Sequence, residues 1–90
     1  MASYVHGSVS TSTTAVKVCS IGQLPENGGV LVQPSVDTFF GGSTVTSSGA
    51  TTGIKVTANS TLLIPTTGAE VQDLYAVVAS GTGTVVFLHP

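Results

Sequence analysis

The sequence predicts an all-β fold: a single-domain β-sandwich, jelly-roll-like, built from about eight short antiparallel strands. Three observations carry this expectation. Hydrophobic residues do not recur at the three-to-four spacing of a helix. Val and Thr dominate, and their branched Cβ favours a pleated strand over a helical turn. Gly, Pro, Asn and Ser clusters interrupt the chain at short intervals, the punctuation of a sandwich or small barrel. Ninety residues make one domain, taken as 1–90, near the low end of what folds alone.

The elements follow in order. Strands are expected near 3–10 and 14–21, ahead of the loop GQLPENGG, where Pro25 and Asn27-Gly28 are turn formers. Strands near 29–33 and 36–40 flank Pro34-Ser35, and another near 43–47 follows the break at Gly41-Gly42. Gly49 closes a bend rich in Ser and Thr. Beyond it Ile54 and Val56 share one face, with Lys55 and Thr57 on the other; Leu62 and Ile64 repeat the alternation. With Ala58-Asn59-Ser60 as the turn, residues 53–64 read as a hairpin of strands near 52–58 and 61–65. Pro65 to Gly68 forms the next turn. The last strands, near 73–79 and 84–89, are joined by Ser80-Gly81-Thr82-Gly83.

In that last pair, DLYAVVAS and TVVFLH, the alternation gives way to apolar residues on both faces. Leu74, Ala76 and Val78 oppose Tyr75, Val77 and Ala79, and Val85 and Phe87 oppose Val86 and Leu88. Strands apolar on both sides expect cover on both, yet a two-layer domain buries one face per sheet. The second face is therefore expected against another subunit. Tyr75, Val77, Val86 and Leu88 are the candidate oligomer contacts, together with Phe40 from the Phe39-Phe40 pair, whose rings point to opposite faces. The N-terminal Tyr4, Val5 and His6 are the candidates for docking to a larger partner.

Charge limits the function classes. Charged residues are 7% of the chain, against roughly 25% in an ordinary soluble domain. Arginine is absent and the formal charge is −2, so no basic patch answers to nucleic acid or to anionic lipid. A hydrophobic content of 41% argues against disorder. The apolar runs LYAVVA and TVVFL are too short to span a bilayer, and MASYVHGSVS is not read as a secretory signal. The lone Cys19 forms no intrachain disulfide and reads as a small buried hydrophobe.

Chemistry is sparse. His6 and His89 stand near opposite ends, and no G-x-S-x-G elbow surrounds any serine, so no enzyme is expected and no catalytic residue is assigned. Two isolated histidines make no metal site within one chain, although a ring of them about a symmetry axis would offer one. Gly41-Gly42 and Gly81-Thr82-Gly83 fit no phosphate-binding loop, and no cofactor is expected. Asn59-Ser60-Thr61 matches the glycosylation sequon and reads as a turn.

From Phe39 onward, GGSTVTSSGATTGIKV, ANSTLLIP and DLYAVVASGTGTVVFL resemble small structural proteins of tailed bacteriophages, the minor capsid or head-decoration proteins. The resemblance covers about half the chain. It implies an accessory virion structural protein on the outer surface of an icosahedral capsid, stabilising the shell by bridging major capsid subunits. The partners expected are the major capsid protein and further copies of this chain, as a small symmetric oligomer with a trimer favoured. A second reading is a head-fibre or tail-associated module that binds surface glycan. A third is a small hydrolase depending on His6 or His89.

Overall fold

Alternation along each segment fixes which side chains point inward; the computed structural model shows how the strands are arranged around them. It describes residues 4–21, 28–66 and 72–89. Eight strands are present: β1 (Val5–Thr11), β2 (Val16–Ile21), β3 (Gly28–Pro34), β4 (Thr38–Gly41), β5 (Ile54–Val56), β6 (Leu62–Thr66), β7 (Gln72–Val77) and β8 (Gly83–His89). They form two antiparallel four-stranded sheets of order β1-β8-β3-β6 and β2-β7-β4-β5.

The pairing is nested. β1 pairs with β8, β2 with β7, β3 with β6 and β4 with β5, as in one long hairpin. That hairpin is rolled so that β8 also lies along β3, and β7 along β4. This is the jelly-roll arrangement of two Greek keys. The register places Val5 opposite His89 and Thr11 opposite Gly83.

The core is made mostly of valine. Val30, Val32 and Val85 of the first sheet meet Val18, Cys19, Phe40, Val56, Leu74 and Ala76 of the second, with Leu62, Ile64 and Phe87 packed beside them. Branched side chains suit this layer because they fill a pleated surface in few rotamers. Two threonines are also fully enclosed. Thr38 donates to the Val36 carbonyl at 2.8 Å, whereas the Thr11 hydroxyl finds no partner among the described residues.

Two expectations about local structure are corrected. Residues 53–64 are not a hairpin: β5 pairs with β4 in one sheet and β6 with β3 in the other, so 57–61 cross between the layers. The turn residues themselves are as read, with Asn59 at φ 65. What redirects them is the end of β3. Asn59 N–H donates to the Pro34 carbonyl at 2.7 Å, the Gln33 amide donates to the Asn59 carbonyl at 3.2 Å, and Ala58 N–H donates to Asp37 at 2.8 Å. The second correction concerns 43–47, which is a turn and not a strand. Val45 N–H donates to the Gly42 carbonyl, and the Thr46 hydroxyl bonds Ser48 and Thr51 locally. Threonine hydroxyls that satisfy nearby backbone compete with sheet pairing. The expected turn residues at 22–27 and 67–68 lie outside the described residues.

Candidate interaction surface

Register turns the alternation of four separate strands into one surface. On the outer side of the first sheet, His6, Leu88, Leu31 and Leu63 stand directly opposite one another across β1, β8, β3 and β6. The adjacent row carries Ser8, Val86 and Gln33. Leu63 is 60% exposed, Val86 44%, Leu31 39% and Leu88 37%, and Tyr4, 70% exposed, stands at the end of β1. Each is outward for a plain reason: Leu31 sits between buried Val30 and Val32, and Val86 follows buried Val85. Leu63 leans over β3, where a Cβ on Gly29 would come 3.1 Å from its Cδ1.

Among the described residues this face holds no Asp, Glu, Lys or Arg. The charged side chains among the described residues are Lys17, Asp37, Lys55 and Asp73, on β2, the β3–β4 link, β5 and β7. Large exposed hydrophobics scattered singly are ordinary, but four side by side on a charge-free sheet mark an interaction surface.

The structure sorts the expected contact residues differently from the sequence reading. Phe40 is corrected: it is 3% exposed and packed in the core opposite Ala76. Val77 is corrected too, being 3% exposed although it points away from the core. That outer face of the second sheet is partly covered by the chain itself, since segment 42–53 brings buried Val45 within 3.0 Å of a Cβ on Gly41. Tyr75, opposite Gly41, is half-buried there. Val86 and Leu88 are outward on the first sheet, where His6 joins them opposite Leu88. Val5 is exposed at the free edge of β1. Of the residues singled out, Val86, Leu88 and His6 share the outer face of the first sheet, whereas Tyr75, Val77 and Phe40 belong to the second sheet. Leu31 and Leu63 were not singled out; the signal was their position between inward neighbours.

A concave region lies where the sheets part, between β5 and β6. It is an apolar groove of about 350 Å³ lined by Phe40, Ile54, Leu62, Ile64, Pro65 and Leu74, without a titratable group. Ile54 lies opposite Phe40, yet is 67% exposed at this open edge.

The two histidines are carried to adjacent positions of β1 and β8 but onto opposite faces of the sheet. His6 is on the outer face, while His89 stacks on Phe87 with ring centroids 6.0 Å apart. Among the described residues no three His, Cys, Asp or Glu side chains gather as metal ligands. Cys19 is buried, and its thiol is pushed above the ordinary value, first by loss of solvent and then by the Asp73 carboxylate. It is therefore held as a thiol, not as a nucleophilic thiolate.

The class these features define is an antiparallel jelly-roll domain with one bare, uncharged apolar sheet face. Comparison of the chain with models of protein families, with curated proteins and with solved structures finds no match in any of the three.

Proposed function

We propose that this chain is an accessory virion structural protein, a minor capsid or head-decoration protein, which binds the outer surface of an icosahedral shell and bridges major capsid subunits. The observation that carries the reading is the uncharged row Leu88, Leu31 and Leu63, which a free domain leaves in water. The resemblance of the chain from Phe39 onward to small phage structural proteins points the same way. Covering a few hundred Å² of this face gives several kcal/mol at about 25 cal/mol per Å², before the costs of association. The action is mechanical. A sandwich with both layers hydrogen-bonded along their length spans two shell subunits and resists their separation.

The test is titration of purified shells with this chain. Saturation at a fixed copy number per lattice site supports the reading, and L31K or L63K should weaken that binding at least tenfold. Retention on cell-wall polysaccharide without any uptake by shells would favour the glycan-binding alternative and sink this one.

A further inference from the structure

The four edge strands of the sandwich differ in how their free sides are guarded. β2 has a register shift between Lys17 and Cys19 and presents the Lys17 charge. β5 is three residues long with exposed Lys55 at its centre. β6 contains Pro65. Bulges, charges, shortness and proline are the devices that stop a sheet edge from recruiting another strand. β1 has none of them. It runs seven residues as VHGSVST, without Lys, Pro or an acid, and its register with β8 is unbroken from Val5 to Thr11. Among the described residues β8 is its only strand partner. The backbone groups along its other side are left facing outward.

We propose that the free edge of β1 is a self-recognition site: it takes β1 of a second copy, antiparallel, about a two-fold axis through Ser8. The two four-stranded sheets become one of eight.

A second copy is the occupant because β1 is complementary to itself. With Ser8 on the axis, Val5 stands opposite Thr11 of the second copy, His6 opposite Ser10 and Gly7 opposite Val9. All seven residues pair, and any other centre shortens the ladder. No formal like charges meet, and exposed Val5 gains a β-branched neighbour on its own face. Such a contact is isologous, so it closes after two copies and uses up the unguarded edge instead of propagating. It predicts a two-fold association where the sequence favoured a trimer. Leu31, Leu63 and Leu88 lie on the face of the sheet and stay uncovered, so self-pairing and shell contact use separate surfaces.

The experiment is size-exclusion chromatography with light scattering on the full chain, with far-UV circular dichroism as the check on folding. The wild type is a dimer at micromolar concentration. S8K and S8E each become monomers with unchanged spectra, because like charges then meet on the axis. An equimolar mixture of the two restores the dimer. The double variant H6D/S10K, which sets opposite charges across the pair, keeps it. A wild type that is monomeric or trimeric, a dimer that survives both single variants, a mixture that stays monomeric, or dissociation of H6D/S10K would each overturn the proposal. No shell is present in the assay, so its outcome is independent of the shell-binding reading.

Discussion

Asp37 accepts a hydrogen bond from the backbone N–H of Ala58 at 2.8 Å, and its other oxygen lies 3.6 Å from the Lys55 ammonium. The first contact ties the crossing turn to the corner between β3 and β4. The second joins side chains that are 53% and 52% exposed, where solvent screens most of the attraction. D37A should therefore lower the unfolding free energy by about 1–2 kcal/mol, and K55A by less than about 0.5. Urea unfolding at constant m separates them. Equal losses would move the weight to the ion pair.

Glycine positions supply a graded test of packing. A Cβ at Gly7 would lie 2.9 Å from Cζ of Phe87, whose ring covers it from the neighbouring strand. At Gly53 a Cβ would run into the Phe40 carbonyl oxygen and the Val45 side chain; at Gly42 it would meet nothing within 4 Å. A ring can tilt, and a paired backbone cannot step aside. Melting temperatures should fall in the order G42A, G7A, G53A, with G42A within about 0.5 kcal/mol of wild type and G7A costing about 1–2. A G53A variant as stable as wild type would contradict the close approach.

The two enclosed threonines should answer to valine in opposite directions. T11V removes a hydroxyl with no partner among the described residues and keeps the shape, so stability should rise by about 0.5–1 kcal/mol. T38V removes the donor to the Val36 carbonyl and should cost about 1 kcal/mol. Denaturant midpoints of the two variants decide this, and a shared sign would refute it.

Cys19 predicts an alkaline limit. Burial, helped by Asp73, raises its folded-state pKa above the 9.0 of an unperturbed thiol. A raised value means that the unfolded chain loses the proton first. The contribution is then whole below about pH 9 and is lost as the pH climbs from there through the folded-state value. The difference in stability between wild type and C19A should be flat near neutral pH and shrink above pH 9. Native protein should also resist alkylation near neutral pH and react once unfolded.

The strands were legible in the sequence because alternation is local physics. Val30 and Val32 face in and Leu31 faces out whichever strand lies alongside. Neighbourhood was not legible for the same reason. The turn at 58–60 is captured by Asp37, 21 residues earlier, and nothing in the alternation of 53–64 distinguishes a hairpin from a crossing. Phe40 went to the core and Phe39 outward because Phe40 registers with Ala76, and a glycine-flanked segment fixes no such parity in advance. That His6 and Leu88 share a face depends on pairing between the first and last strands, which no local pattern reveals.

The rolled hairpin also governs how the chain is made. β8 follows the other seven described strands in chain order, yet it lies between β1 and β3 and bonds to both. A ribosome-bound chain without it leaves β1 unpaired and separated from its sheet by a gap one strand wide. Closure of the first sheet therefore waits for β8, and its greasy inner side stays open until that strand is in place.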